Sequence, residues 1–167
     1  MKRTIWLKII LGLLLVIANV SCDQITKKHV RKNINTHEYI EVLNTNFVLT
    51  KIENTGAALS FGQHFSPTIK LIIFQLVPLI VLLGLFYYAI HKTDTNLKFV
   101  ALTFIIGGGI GNIIDRVLYS SVTDFMYIEI GSLHTGIFNM ADVSVTLGGI
   151  TLLLQWFISS RKNLAAS

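Results

Sequence analysis

Four of the nine acidic residues stand at or close to the ends of long apolar runs: Asp23, Asp115, Asp124 and Asp142. A carboxylate at the edge of a bilayer is costly unless it is paired or functional, so each of these needs a partner or a purpose. Asp23 has Lys27 four residues later, which is a favourable helical spacing. Asp115 is followed by Arg116, and these two are expected to neutralise each other through a shared network.

Asp124 and Asp142 differ from the other two, because no Lys, Arg or His lies within four residues of either one. Two such aspartates at one poorly hydrated site can become each other's partner and share a proton, since both cannot ionise at short distance. Aspartic proteases obtain an acid and a base from two carboxyl groups in this way. A structural role stays open as well, because Asp142 stands where it could cap the start of a helix.

Other catalytic patterns do not occur in the sequence. It contains neither the HExxH motif of zinc proteases nor the GxSxG motif of serine hydrolases. The single cysteine, Cys22, excludes an intrachain disulfide and a multi-cysteine metal site. The five histidines are scattered and are expected at the surface. We therefore expect neither a metal ion nor a cofactor.

The elements that must position the aspartates are membrane spans. Hydrophobic residues make up 52% of the 167 residues and charged residues 14%, which is too little charge to cover a water-soluble domain. Four apolar runs are suited to cross a bilayer, at about residues 5–22, 69–90, 97–115 and 142–160. The basic residues flank these runs and do not form one periodic face, which excludes nucleic acid as the partner. The sequence thus predicts one integral membrane domain over residues 1–167.

Four spans place both termini on one side of the membrane and residues 23–68 and 116–141, with all four aspartates, on the other. Lys and Arg are denser in the short segments beside the termini, so we expect both termini in the cytoplasm and Asn44 outside. Alternating β-branched and aromatic residues predict strands within 39–52 and 122–130. The basic stretch 23–32 predicts a short interfacial helix or a solvated charge run. The expected fold is a membrane all-α protein of four transmembrane helices with a small extracytoplasmic β-rich cap.

The glycine-rich sequence GGGIG at 107–111 lies inside the third apolar run. No GK[ST] follows it, so Gly107 and Gly111 are expected to allow close helix packing rather than to bind a nucleotide. Asn112 in the same run would be a buried polar group that needs partners.

Five short sequences occur in order along the chain: DQITK at 23–27, ENTGAALSF at 53–61, GGGIGNIIDR at 107–116, TDF at 123–125 and FNMAD at 138–142. Together they resemble the boxes of lipoprotein signal peptidase, the type II signal peptidase of bacteria. The resemblance covers the whole chain, including its four spans.

The resemblance implies an aspartic endopeptidase of the bacterial inner membrane that needs no metal. Such an enzyme removes the signal peptide of a prolipoprotein by cutting before a diacylglyceryl-modified cysteine, in contact with membrane lipid, and peptide antibiotics of the globomycin type inhibit it. By motif, Asp124 and Asp142 match the catalytic pair. The supporting polar residues of the family match at Asp23, Lys27, Asn54, Gly56, Asn112, Arg116 and Asn139.

Two positions depart from the family pattern. Leu59 stands where an aromatic residue is common, and Thr123 stands where an aliphatic residue usually precedes the aspartate. Both differences concern the shape of the substrate pocket more than the reaction.

Two other functions fit parts of the sequence. A non-enzymatic membrane module also fits four spans with polar ends, but it does not predict two aspartates without cations. Alternatively, residues 1–21 are a signal peptide and Cys22 anchors a lipoprotein. Asn19 stands where such a cleavage site usually has Leu, and three further spans make a lipid anchor redundant.

Overall fold

The computed structural model describes residues 2–43, 46–94 and 96–165. Within these residues, four helices are long and apolar enough to cross a membrane. They are α1 (Lys2–Asn33), α2 (Pro67–Lys92), α3 (Leu97–Tyr119) and α4 (Met140–Ala165). Met1, Asn44 and Ser167, to which the expected orientation refers, lie outside the described residues.

Helix α3 lies at the centre of the bundle and contacts each of the other three helices. Its Phe99, Leu102 and Ile106 are almost completely buried. The outward faces of α1, α2 and α4 instead expose many large apolar side chains. This distribution fits helices that are surrounded by lipid, because lipid tails solvate apolar side chains as well as a protein core does.

Glycines let α3 approach its neighbours closely. A Cβ atom at Gly107 would lie 2.6 Å from the Cβ atom of Asn19, and one at Gly111 would lie 2.6 Å from Asp23 Oδ2, so both glycines face α1. A Cβ atom at Gly108 would meet the backbone of α4. The prediction that Gly107 and Gly111 serve helix packing is confirmed, and Gly108 does the same for a second helix.

A four-stranded antiparallel sheet covers one end of the bundle, in the order β1–β2–β3–β4. Its strands are β1 (Ile40–Leu43), β2 (Phe47–Asn54), β3 (Val122–Ile130) and β4 (Leu133–His134). Val30 and Ile34 near the end of α1 form a buried cluster with Phe125 of β3, which fastens the sheet to the bundle. The strands predicted within 39–52 and 122–130 are confirmed.

The register between β2 and β3 brings two polar residues together. Ile52 pairs with Asp124, and Asn54 pairs with Val122. Directly opposed residues share a face of the sheet, so Asn54 and Asp124 are diagonal neighbours on the same face. The strand pairing therefore fixes an amide beside one of the candidate catalytic carboxylates.

Residues 23–32 do not form a separate interfacial helix, which is a correction to the sequence-based expectation. They are part of α1, which continues without a break to Asn33. Asp23, Lys27 and Arg31 are spaced four residues apart and so lie on one helix face. Lys27 and Arg31 form ion pairs with the buried Asp115 of α3. A helix held in the bundle by this face cannot lie along the lipid headgroups.

Helix α2 contains a π-helical turn, Ile72–Leu76, shortly before Pro78. Proline has no N–H to donate, and a wider turn at this place accommodates the interrupted hydrogen-bond ladder. The buried Phe74 lies in this turn, and the guanidinium carbon of Arg116 lies 5.7 Å from the centre of its ring. The irregular turn thus supplies a face against which a cationic side chain of the site packs.

Candidate active site

Asp124 and Asp142 line the same cavity, which has a volume of about 500 Å³ and lies between the sheet and the adjoining ends of α3 and α4. The other polar residues on its wall are Asn54, Asn112, Arg116, Thr135, Asn139 and Thr146. Six of the nine site residues named from the sequence therefore meet at one cavity. The remaining three, Asp23, Lys27 and Gly56, lie behind its wall.

Asp124 is buried on β3 and accepts hydrogen bonds from two amides. Asn54 Nδ2 donates to Asp124 Oδ2 over 3.1 Å, and Asn139 Nδ2 donates to Asp124 Oδ1 over 2.6 Å. Burial, and after it the nearby charge of Asp142, raise the pKa of Asp124 from 3.8 to about 6. Asp124 is therefore suited to hold a proton at a pH where an ordinary aspartate has lost it.

Asp142 lies in the first turn of α4 and forms a reciprocal cap with Asn139. The backbone N–H of Asn139 donates to Asp142 Oδ2 over 3.0 Å, and the backbone N–H of Asp142 donates to Asn139 Oδ1 over 3.1 Å. The second carboxylate oxygen, Oδ1, accepts a hydrogen bond of 2.9 Å from Asn112 Nδ2. The capping role that the sequence left open is thus present, and the same carboxylate still faces the cavity.

Asn139 connects the two aspartates. Its fully buried side chain donates through Nδ2 to Asp124 and to Asn112 Oδ1, and accepts through Oδ1 from the backbone of Asp142. Both N–H groups and the oxygen atom of this amide group therefore form hydrogen bonds. The side chain and the backbone of this one residue together fix the positions of both carboxylates relative to each other.

A buried ionic group stands behind this amide layer. Lys27 Nζ contacts Asp23 Oδ2 at 2.8 Å, Asp115 Oδ2 at 3.2 Å and Asn112 Oδ1 at 2.9 Å. Asp23 Oδ1 in turn accepts a hydrogen bond of 2.9 Å from the backbone N–H of Ala141, in the first turn of α4. Asp23 and Lys27 therefore orient Asn112 and the start of α4 rather than line the cavity.

Gly56 and Arg116 shape the wall beside Asn54. Asn54 Oδ1 accepts from the backbone N–H of Gly56 over 2.9 Å, and Arg116 Nη2 donates to the carbonyl oxygen of Gly56 over 3.0 Å. A Cβ atom at Gly56 would lie 2.8 Å from the carbonyl oxygen of Ser60, so a larger residue does not fit this turn. The turn holds Asn54 with its amide directed towards Asp124.

Asp115 and Arg116 do not neutralise each other, contrary to the expectation from their adjacency. Successive residues of a helix point about 100° apart, so these two side chains diverge. Asp115 pairs with Lys27 and with Arg31, whose Nη2 lies 2.8 Å from Asp115 Oδ2. Sequence reasoning missed Arg31, although its spacing of four residues from Lys27 and eight from Asp23 was the available signal.

Sequence reasoning also missed the wall formed by residues 135–138, which precede α4. Phe138 exchanges backbone hydrogen bonds with Met126 of β3, so this segment runs beside the strand that carries Asp124. It carries no charged residue, and apart from Phe138, the first residue of the FNMAD sequence, no local pattern marks it. Only the pairing with a distant strand brings it to the cavity.

Leu59, one of the two departures from the family pattern, lies on the opposite wall. It is 86% exposed and has left-handed backbone angles, φ 53° and ψ 33°. A Cβ atom at Gly136 would lie 2.8 Å from its Cδ2 atom. The side chain thus reaches across the cavity to the segment that precedes α4. The left-handed backbone angles of Leu59 are uncommon for a residue other than glycine, asparagine or aspartate.

The chain is similar in sequence to known bacterial proteins. The family model described as Signal peptidase (SPase) II matches residues 15–158. A protein of Listeria welshimeri named lipoprotein signal peptidase is 35% identical over 151 residues, which cover 89% of this chain and 94% of that protein. The protein of the same name from Clostridium tetani is 36% identical over 143 residues, which cover 85% of this chain and 89% of that protein.

The fold is also that of solved structures. One, described as a bacterial membrane enzyme, superposes with a TM-score of 0.80 at 29% identity and covers 89% of this chain and 88% of its own. A second with the same description gives a TM-score of 0.77 at 29% identity, over 87% of this chain and 91% of its own. By sequence, by fold and by a cavity that holds two aspartates, the chain belongs to the signal peptidase II family.

Proposed function

We propose that Asp124 and Asp142 are the catalytic pair with which this lipoprotein signal peptidase removes signal peptides from prolipoproteins. The observation that carries the proposal is that both carboxylates line one cavity and are bound to the same residue, Asn139, which donates to Asp124 through its side-chain amide and to Asp142 through its backbone N–H. Two carboxyl groups that share one proton can activate a water molecule between them. The ionised group accepts a proton from the water, and the protonated group donates its proton to the developing product.

The surroundings of the two carboxyl groups support a division of roles between them. Burial raises the pKa of Asp124 to about 6, which favours Asp124 as the member that holds the shared proton. Asp142 lies at the N-terminus of α4, where the helix dipole favours a negative charge. Asp142 therefore takes a proton from water, which attacks the scissile carbonyl carbon, and Asp124 donates its proton to the developing oxyanion or to the leaving amine. The peptide bond breaks without a covalent intermediate.

The substrate side of the cavity is mixed in character. The apolar residues Leu59, Ile137 and Val145 share its wall with the polar ones. A peptide that carries a diacylglyceryl-modified cysteine has both a polar backbone and a lipid part, and its lipid tails would extend among membrane lipids beside the spans. We include globomycin-type peptide antibiotics as ligands of the same cavity, so such an antibiotic should compete with the prolipoprotein.

We propose further that the cavity lies at the extracytoplasmic face of the bacterial inner membrane, with both termini in the cytoplasm. Support comes from Lys8 near the start of α1, which donates to the carbonyl oxygen of Thr93 in the α2–α3 connection. These two regions are therefore at the same end of the bundle. The sheet and the two aspartates are at the other end, as four alternating spans require.

The test is cleavage of a diacylglyceryl-modified prolipoprotein by the purified protein in detergent, with and without globomycin. Asp124→Asn and Asp142→Asn should each lower the rate by at least ~10²–10⁴-fold, because an amide cannot exchange the shared proton although its size is nearly the same. Asp94→Asn is the matched control, since Asp94 is exposed in the α2–α3 connection. Turnover at the parental rate in either site variant, with folding intact, would refute the catalytic role and favour a non-enzymatic membrane module.

A further inference from the structure

Thr123, the second departure from the family pattern, is completely buried, and its hydroxyl group joins two charged side chains. Arg31 Nε donates to Thr123 Oγ1 over 2.8 Å, and Thr123 Oγ1 donates to Glu53 Oε1 over 2.8 Å. The hydroxyl group therefore uses its donor and accepts at the same time, which neither an aliphatic side chain nor a purely accepting one could do.

Both charged partners are themselves held in place. Glu53 is opposite Thr123 in the β2–β3 register, and its Oε2 accepts a short hydrogen bond of 2.6 Å from Ser121 Oγ. Arg31 forms an ion pair with Asp115, and its guanidinium carbon lies 4.1 Å from the centre of the Tyr119 ring. The hydroxyl group of Thr123 is thus bonded to two side chains that cannot move freely.

The backbone of Thr123 is fixed as well. Its N–H donates to Asp115 Oδ2 over 3.2 Å, so the buried carboxylate of α3 holds both Arg31 and the strand. Thr123 is therefore tied to α1, α3 and β2 at once. The next residue in the chain is Asp124, whose side chain leaves the strand on the opposite face. Any shift or rotation of Thr123 moves the carboxyl group of Asp124 in the cavity.

We propose that the series Arg31–Thr123–Glu53 is a positioning device for the Asp124 carboxyl group, and that Thr123, Arg31 and Glu53 are positioning residues of the reaction. This inference rests on the proposed catalytic role of Asp124. The two charged side chains depend on the hydroxyl group at position 123. A valine at this position would leave both Arg31 Nε and Glu53 Oε1 without this hydrogen-bond partner. Displacement of a reacting group by about 1 Å can cost ~10²-fold in rate, so the loss falls on catalysis more than on binding.

The experiment compares kcat and KM for prolipoprotein cleavage in detergent. Thr123→Val, which keeps the shape and removes the hydroxyl group, should lower kcat by roughly 10-fold to 100-fold and leave KM within about twofold. Thr123→Ser keeps the hydroxyl group and should retain most of the kcat. Glu53→Gln should lower kcat in the same direction, and the double variant should be little worse than Thr123→Val alone, because both changes break one series of bonds.

Thr103→Val is the matched control. Thr103 is also completely buried, but its hydroxyl group donates to Val100 O within α3, over 2.7 Å. Its kcat should stay at the parental value. Parental kcat in Thr123→Val, an equal loss in Thr103→Val, or additive losses in the double variant would each overturn the positioning role. If Thr123→Val does not fold, Glu53→Gln decides by the same criterion. Absence of cleavage by the parent protein would instead overturn the proposed function, and this inference with it.

Discussion

At the scale of single residues, the site satisfies two carboxyl groups with amides. Asn54, Asn112 and Asn139 donate to Asp124 and Asp142, and in the described residues no Lys, Arg or His lies within ion-pairing distance of either one. A cation in direct contact would hold both carboxylates ionised. Neutral donors fix the geometry and still let the pair share a proton, which is what acid–base catalysis by two aspartates needs.

The first prediction concerns the pH dependence of stability. Because the pKa of Asp124 is raised from 3.8 to about 6, the folded protein holds a proton that the unfolded chain releases within this range. The free energy of unfolding should therefore fall by roughly 3 kcal/mol as pH rises from about 4 through about 6. Asp124→Asn lacks this group and should lose less stability over the same range. Thermal midpoints of both proteins at pH 4.5 and pH 7.5 in one detergent measure the difference.

The comparison between the two proteins isolates Asp124, because the other titrating groups are common to both. At pH 7.5 the variant should melt at or above the midpoint of the parent. If the thermal midpoint changes equally between the two pH values in both proteins, the carboxyl group of Asp124 is not protonated near pH 6 in the folded protein.

Local charge pairing in the sequence was enough to separate Asp124 and Asp142 from the other acids. The same reasoning was wrong for Asp115 and Arg116, because adjacency in the chain is not adjacency on a helix surface. The true partners of Asp115 come from α1, more than eighty residues earlier. The amide side chains that bind Asp124, those of Asn54 and Asn139, could be named only from the family motifs, since their positions depend on strand register and on a helix cap.

At the scale of elements, the crossing of α3 with its neighbours sets the positions of the site. Gly108 packs against the backbone at the start of α4, one residue before Asp142, and Gly111 packs against Asp23. The positions of Asp142 and Asp23 thus depend on contacts that α3 makes through its glycines. The length of the apolar runs predicted the spans, but the direction that each glycine faces could be read only from the assembled bundle.

The second prediction tests these contacts. Gly108→Ala should destabilise the protein by about 1–3 kcal/mol, because the added methyl group collides with the backbone of α4 and overpacks the crossing. Gly149→Ala is the control on α4, since nothing lies within 4 Å of a Cβ atom there. Alanine favours a helix over glycine by about 0.8–1 kcal/mol, so this variant should melt at or above the parent. Equal midpoints for the two variants in a thermal melt would contradict the close crossing.

The third prediction concerns the buried ionic group of α1. Asp23→Asn leaves Lys27 with one carboxylate fewer and weakens the link to Ala141, so it should cost on the order of 3 kcal/mol, or roughly 6–12 °C in the thermal midpoint. Some cleavage activity should remain below the melting range. The neighbouring Cys22→Ala is the control: Cys22 is exposed, and its variant should cleave and melt normally.

The intact mass of the purified protein bears on the lipoprotein alternative. Removal of residues 1–21 would take away Val16, which packs in the core, and Asn19, which bonds to Ser144 of α4. We expect the purified protein to retain residues 1–21. A product that begins at a lipidated Cys22 would revive the alternative.

At the scale of the whole molecule, both tryptophan residues lie exposed near one end of the bundle, together with an exposed tyrosine. Trp6 is near the start of α1, Tyr87 is near the end of α2, and Trp156 is in the last part of α4. Trp and Tyr are enriched at membrane–water interfaces, so this belt marks the interface on the side of the chain ends. The sheet covers the opposite end of the bundle.

The fourth prediction tests the orientation in the membrane. In a Cys22→Ala background, Asp94→Cys should lie on the cytoplasmic side and Leu133→Cys on the outer side, since both positions are exposed at opposite ends of the bundle. A membrane-impermeant thiol reagent applied to spheroplasts should label Leu133→Cys at once and Asp94→Cys only after permeabilisation. The reverse pattern of labelling would place the aspartates in the cytoplasm and contradict the proposed site of cleavage.

The unbroken course of α1 has a consequence for how the enzyme depends on its membrane. Trp6 and Asp23 are 17 residues apart on this helix, a distance of about 26 Å along its axis, and no loop between them can stretch or shorten. The height of the cavity above the opposite interface is therefore set by the length of α1. A thinner or thicker bilayer has to be met by tilting the bundle or by deforming the lipid around it, each at a cost of fractions of a kcal/mol per Å. The length of α1 thus sets the bilayer thickness that fits the protein, and the lipid composition of the host determines how closely the actual thickness matches it.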